Sequence, residues 1–253
     1  MSVAEVFSEN SHIYATAENE RFYARIATAL AQKIPSRLYP RHILEVGAGT
    51  GAATVTLKRY FPSANILATD PSEKMLAYNR GKRLEGVEYA CLYAEDAPNL
   101  RGNFDLIFGN ICYHWFQPGT AKVLSRLLTP EGVLAFSVPT SGQEKGDGNL
   151  HLRRICRELG VDGRQGKHLL SLSRLRREFA HLANTCTETI ILRETHPPAL
   201  LGALLRARGS WRFLFGPKAV FAETLWRKLT AGRTTVTLVW NITLVVAENN
   251  AAQ

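Results

Sequence analysis

Residues 45–51 read Glu-Val-Gly-Ala-Gly-Thr-Gly. Glycines at 47, 49 and 51 let a backbone turn tightly and bring a ligand against main-chain amides. Where such a loop opens a helix, the first amides of that helix favour an anionic group. The spacing is G-x-G-x-G, with Ala52 where a dinucleotide fingerprint carries its last glycine, and no G-x-x-x-x-G-K-[ST] occurs, which excludes a P-loop. Asp70 lies nineteen residues past Gly51. A carboxylate at that place can accept hydrogen bonds from both hydroxyls of a ribose. These residue types at this spacing point to a nucleoside-bearing ligand.

The elements that must position them are legible from periodicity. Residues 42–46 form a short apolar run stopped by Gly47, which predicts a buried strand; 52–60 follow as a helix. A second strand at 65–69 ends at Asp70, and a second helix at 72–83 takes Ser72 as N-cap with Met75 and Leu76 inward. Further strands are expected at 87–92, 104–108 and 133–138, with a helix near 119–128 closed by Pro130-Glu131-Gly132. Upstream, 18–34 reads as an amphipathic helix marked by Phe22, Ile26, Ala29, Leu30 and Lys33. The strand–helix alternation predicts an α/β fold, an open parallel sheet covered by helices on both faces. The crevice of such a sheet lies at the carboxyl ends of its strands, so Asn110, His114 and Trp115, just past the fourth strand, should border it.

After Pro139 the pattern changes. Residues 140–149 read as a loop, 150–159 and 171–182 as arginine-rich helices, and 186–193 and 234–247 as strands. Between those strands, 197–232 is helical, basic and aromatic. The domain organisation expected is an N-terminal helical cap at 1–40, a core at 41–196 and 234–253, and a helical lid insertion at 197–233.

The 253 residues carry 31 Lys and Arg against 22 Asp and Glu, a formal charge of +9. That excess favours an anionic partner without choosing among nucleic acid, membrane, acidic protein or small acid. Cys91, Cys112, Cys156 and Cys186 form no CxxC or CxxH pair, so neither a zinc site nor a disulfide framework is expected. The first residues, MSVAEVFSENSH, lack a secretory pattern, and no apolar run approaches the ~18 residues of a bilayer span. A cytoplasmic protein is the expectation.

The motifs E-x-G-x-G-T-G at 45–51, T-D-P-S-x-x-M-L at 69–76, F-D-L-I at 104–107 and L-T-P-E-G-V-L at 128–134 resemble the Rossmann-like, class I S-adenosylmethionine-dependent methyltransferases. The resemblance covers about 30–140 with specific motifs and the final strands with weak ones. It implies a seven-stranded, mostly parallel sheet whose last strand runs antiparallel. It implies S-adenosylmethionine as cofactor and S-adenosylhomocysteine as product. Gly47, Gly49 and Gly51 would pass along the methionine portion, Asp70 would hold the ribose, Met75 would wall the adenine, and Glu45, Ala48 and Pro71 would belong to the same cofactor set. Tyr93 stands where many relatives carry an adenine-binding Asp, which leaves the Ala94 backbone, with Glu95 or Asp96, for that contact. Asn110 completes the expected cofactor set.

The stretch 109–115, Gly-Asn-Ile-Cys-Tyr-His-Trp, is similar to S-N-x-x-x-Q-W of the malonyl-acyl-carrier-protein O-methyltransferases of biotin synthesis, with His114 for Gln. Phe7 and Tyr14 resemble the opening of those enzymes that folds over the cofactor. Leu205 to Ser210 is similar to a segment of their lid. The resemblance makes Tyr14, His114 and Trp115 positioning candidates and adds Arg206 and Arg208 as cationic anchors for a substrate carboxylate. An acidic acyl carrier protein would dock on the basic helices. Trans-aconitate methyltransferases share the plan, so another small carboxylic acid is an alternative acceptor. The charge prompts an RNA methyltransferase reading, but no N-P-P-Y-type motif follows the fourth strand. A non-catalytic S-adenosylmethionine binder is the reading outside enzymes.

Overall fold

The computed structural model describes residues 2–100, 102–142, 145–162 and 170–249. Two residues of the expected 140–149 loop and the last four of the expected core segment lie outside the described residues. The chain opens with α1 (Val3–Glu9), α2 (Ser11–Tyr14) and α3 (Ala17–Ala31). It then alternates through β1 (His42–Val46), α4 (Ala52–Tyr60), β2 (Asn65–Thr69), α5 (Glu73–Arg80), β3 (Val87–Ala90) and β4 (Phe104–Asn110). There follow α6 (Thr120–Ser125), β5 (Leu128–Thr140), α7 (Asp147–Glu158), α8 (Leu172–Glu178) and β6 (Ala183–His196). The chain closes with α9 (Pro198–Ala207), α10 (Ser210–Phe215), α11 (Ala219–Leu229) and β7 (Val236–Glu248).

The strands form one seven-stranded sheet in the order β3-β2-β1-β4-β5-β7-β6. The first five are parallel, and β7 runs antiparallel to both neighbours. This is the mostly parallel Rossmann-like sheet that the motifs implied. Alternation along β1 sends Ile43 to one face, with Ile26, Leu30 and Leu57 of α3 and α4, and Leu44 and Val46 to the other, with Leu124, Leu175 and Phe179. Strands buried on both faces need such near-continuous apolar runs. Fully burying each of these side chains contributes roughly 1.5–3 kcal/mol.

Residues 197–233 are helical as expected, and they carry an apolar core of their own. Leu201, Leu205, Trp211, Phe215 and Trp226 pack with Ile155 of α7 and with Val236 and Leu238 of β7. The insertion is therefore anchored by burial rather than hung on a hinge.

Several boundaries differ from expectation: α7 begins at Asp147, inside the expected 140–149 loop, α8 ends at Glu178, and two differences have a clear cause. Pro130-Glu131-Gly132 does not end an element but lies inside β5. Phe104 pairs with Leu128 and Leu106 with Val133, so extra residues of β5 bulge out there, a position that tolerates proline. β6 is longer than 186–193 because an edge strand accommodates exposed polar residues at its ends, Asn184, Thr185 and Thr195, which break the apolar pattern.

Candidate active site

The glycine loop leaves β1 and enters α4 as the sequence requires. Gly47, Gly49 and Gly51 all take positive φ, at 66°, 54° and 95°. The loop is pinned at Ala48, whose N–H donates to the Thr69 carbonyl at 2.9 Å. Asp70, at the end of β2, ties it from the side. Its Oδ2 accepts from the Gly49 N–H at 3.0 Å and its Oδ1 from the Ser72 N–H at 2.9 Å. Burial pushes the Asp70 carboxyl up to about 6, and the two amide donors oppose that rise. Each carboxylate oxygen can still accept a second hydrogen bond.

Behind the loop lies a buried polar chain. Asn79 Nδ2 donates to Thr54 Oγ1 at 2.8 Å, and Thr54 Oγ1 donates to Glu45 Oε2 at 2.7 Å. Burial raises the Glu45 carboxyl to about 8, so it is neutral at pH 7. Glu45 has almost no exposed surface. Expected among the cofactor contacts, it supports the loop from behind instead of presenting an acceptor to the crevice.

The floor of the crevice is the end of β4. Asn110 donates from Nδ2 to the Tyr23 carbonyl at 3.0 Å and accepts at Oδ1 from Ser137 Oγ at 2.8 Å. Ile111 follows at φ 55°, its N–H donating to the Ser137 carbonyl and hydroxyl. A β-branched residue in this left-handed region is strained, and such strain concentrates at working sites. The turn sets the Cys112 side chain against Gly47, where its thiol donates to the Val46 carbonyl at 3.2 Å.

The roof is aromatic. Tyr14 stacks on Tyr23 at 5.0 Å between ring centroids, and both line the crevice with Gly47, Gly49 and Asn110. Phe7 of α1 meets Tyr14 at 5.8 Å and Trp115 at 5.7 Å. Trp115 also packs on Phe213 of α10 at 4.4 Å and on His114 at 4.6 Å. The N-terminal helices, the β4 end and the helices of 197–233 thus converge on one cluster.

Several predicted residues sit elsewhere. Glu95 accepts from the Gln117 N–H at 2.7 Å and so ties its own turn to the segment before α6; Asp96 and Tyr93 are exposed. Ala94 and Met75 are buried, and Pro71 is partly buried in the Asp70 turn. Arg206, expected as a carboxylate anchor, pairs with Glu223 of α11 on the outside of the lid. Arg208, the second expected anchor, is buried. Its two terminal nitrogens bind the Glu194 carboxylate at 2.7 Å each, and Nε donates to Asn19 Oδ1 at 2.9 Å. A guanidinium desolvated to this degree is kept inside a protein by a bidentate partner, and Glu194 with Asn19 engages three of its five N–H groups. Tyr23, Asn19, Cys112, Ser137 and Phe213 were not foreseen. The Phe22-Tyr23 doublet on an amphipathic helix was the available signal for Tyr23.

Among the described residues no helix is long and apolar enough to cross a membrane, and no group of acidic, His and Cys side chains is arranged to hold a metal.

Comparison with known proteins agrees with this geometry. Residues 43–132 match the family model described as a methyltransferase domain. Residues 43–132 are thus a methyltransferase domain on a Rossmann-like sheet, and its cofactor is S-adenosylmethionine. Over 137 residues the chain is 36% identical to a malonyl-[acyl-carrier protein] O-methyltransferase of Acetivibrio thermocellus, covering 50% of this chain and 47% of that one. Over 123 residues it is 37% identical to a trans-aconitate 2-methyltransferase of Deinococcus radiodurans, covering 47% of this chain and 46% of that one. The matched region thus spans about half the length of these curated relatives. Among solved structures, the YcgJ protein of Bacillus subtilis aligns over 88% of this chain and 97% of its own, with a TM-score of 0.60 at 16% identity.

Proposed function

We propose that this chain is an S-adenosylmethionine-dependent O-methyltransferase that esterifies a carboxylate, with the free carboxyl of malonyl-acyl carrier protein as its acceptor. The glycine loop fits the cofactor: three left-handed glycines open a cradle beside a carboxylate with acceptor capacity to spare. Gly47, Ala48, Gly49 and Gly51 would pass along the methionine portion, Asp70 with Pro71 would hold the ribose, and Met75 and Ala94 would flank the adenine. When bound, S-adenosylmethionine supplies an electrophilic methyl group.

The acceptor class is carried by the similarity to methyltransferases named for carboxylic acceptors, and the protonated groups around the crevice are in keeping with it. Burial raises the Tyr14 and Tyr23 hydroxyls and the Cys112 thiol, so all three stay protonated at neutral pH. None of these groups serves as a base. An acceptor that arrives already ionised, as a carboxylate does, needs none. The chain's part is then to align the attacking oxygen and to keep water out, and the Phe7, Tyr14, Trp115 and Phe213 cluster covers the crevice for that purpose. His114 and Trp115 border the acceptor side.

The malonyl-carrier reading rests on the similarity to methyltransferases of that name and on exposed cations for an acidic carrier. Arg153, Arg157, Arg176, Arg177, Arg227 and Lys228 all face solvent on α7, α8 and α11. A trans-aconitate-like acid is the second reading, favoured by relatives of equal identity. Methyl transfer from labelled cofactor should be measured on malonyl-carrier protein, malonyl-CoA, trans-aconitate and tRNA. The carrier-bound acceptor should be turned over fastest. Its rate should also fall more steeply with added salt than that on malonyl-CoA, since free ions screen surface charges beyond ~8 Å at physiological ionic strength. Equal salt dependence would remove the carrier from this account, and turnover of tRNA alone would overturn the carboxylate class.

The cofactor assignment has a test of its own. Asp70→Ala should weaken S-adenosylhomocysteine binding by about 1–3 kcal/mol, the weight of the hydrogen bonds removed. Unchanged affinity in calorimetry would contradict Asp70 as the ribose residue.

A further inference from the structure

We propose that Arg208 is a positioning residue: it fastens the lid to the N-terminal helices and, through Asn19, holds Tyr14 over the glycine loop. This inference deepens the cofactor-binding reading above and rests on it.

The chain of contacts is continuous. Arg208 ends α9 of the lid and precedes Gly209, which takes φ 71° as the lid turns into α10. Its guanidinium is buried between α3, β6 and β7. Both terminal nitrogens hold Glu194, and Trp240 Nε1 donates to the same carboxylate at 2.9 Å. The cation also lies 4.3 Å from the Phe22 ring centre and 5.4 Å from that of Trp240. Its Nε–H reaches Asn19 Oδ1 in the first turns of α3. Asn19, fully buried, turns its amide Nδ2 to the Ile13 carbonyl at 3.2 Å. Ile13 immediately precedes Tyr14, whose ring lies over Gly49, with Cε1 3.9 Å from where a Cβ on that glycine would stand.

Each link has a reason to be polar. α2 is only four residues long, too short to hold its place by its own hydrogen bonds. Its Ile13 carbonyl accepts from the Thr16 N–H at 3.2 Å, and Asn19 adds a second donor from the next helix. Asn19 can do this only in one amide orientation, and the Arg208 Nε–H selects it by demanding the oxygen. Burying a guanidinium for this purpose is costly unless it is paired, and Glu194 with Trp240 completes the pairing. A buried network whose members are all satisfied specifies one arrangement. Here that arrangement places a crevice-lining aromatic by way of the lid.

The discriminating variant is Asn19→Ala, which keeps the Arg208–Glu194 pair and removes both bonds of the bridge, the one from Arg208 Nε and the one to the Ile13 carbonyl. In the full chain, S-adenosylhomocysteine affinity should fall about tenfold in Asn19→Ala, comparable to the loss of one hydrogen bond of this class. Tyr14→Ala should fall similarly, and the double variant should be no weaker than Tyr14→Ala alone, because both act through one ring. Hydrogen exchange supplies a readout free of ligand. Amides at 11–16 should lose protection in Asn19→Ala and in Arg208→Met, while those of β1 and β2 keep theirs. Arg208→Lys, which retains the charge without the fork, should behave as Arg208→Met. Additive losses in the double variant, or protected amides at 11–16 in Asn19→Ala, would overturn the inference. A parent protein that binds no S-adenosylhomocysteine would instead overturn the cofactor reading, and the exchange result would still decide the role of Arg208.

Discussion

Gly47→Ala is expected to lower stability by about 2–5 kcal/mol and to abolish measurable S-adenosylhomocysteine binding, through two additive effects. The first is backbone strain: φ at 66° lies in the left-handed region, which an alanine enters at a cost of roughly 1–2 kcal/mol. The second is overpacking. A Cβ on residue 47 would stand 2.5 Å from Cys112 Cβ and 3.0 Å from its sulfur. Cys112 cannot retreat easily, because its thiol is bonded to the Val46 carbonyl and its backbone follows the strained turn at Ile111. Either β1 or the β4 end must move, and both line the crevice. Gly49→Ala makes a useful contrast. It carries the same backbone strain at φ 54°, but its new methyl would meet only Tyr14 at 3.9 Å. Denaturant unfolding should therefore rank Gly49→Ala well above Gly47→Ala in stability. Equal stabilities would mean that Cys112 does not clamp the loop.

That clamp illustrates which parts of the site can be read from a sequence. The glycine loop, Asp70 and the strand–helix alternation were legible because each is a local demand. A positive φ asks for glycine, a strand end beside a nucleoside asks for a short carboxylate, and a two-faced strand asks for an apolar run. Cys112 reads as an unremarkable buried thiol because its neighbour Gly47 is sixty-five residues away. Arg208 failed as a predicted anchor for the same reason. Its residue type allows both a substrate clamp and an internal ion pair, and the choice is made by Glu194 and Asn19, on different elements. Arg206 was diverted by Glu223, the single acid of residues 197–233, which lies on another helix. The Pro130 bulge was misplaced because proline reads as a breaker unless the partner strand's register is known.

Glu45 carries the second large expectation, a pH dependence of stability with a defined sign. In the folded chain burial holds its proton up to about pH 8. In the unfolded chain a glutamate loses it near its ordinary value, about 4.3. Between those values the native state binds one more proton than the unfolded state, so stability falls as pH rises. The stabilising contribution is complete below the unfolded value and is lost by the time pH passes 8. Asp70, raised to about 6, acts in the same direction over a narrower window. Glu45→Gln should remove the larger part of this dependence. The glutamine oxygen can accept from Thr54 as the neutral acid does at 2.7 Å, and the amide has no proton to lose. The variant should match the parent near pH 4.5 and exceed it progressively, by about 3–5 kcal/mol at pH 8, as the linkage integral requires. Urea unfolding of both proteins at pH 5, 6.5 and 8 measures the difference directly. Parallel profiles would mean that Glu45 is ionised in the folded chain, so that the acid behind the glycine loop is held charged by its Thr54 bond rather than neutral by burial.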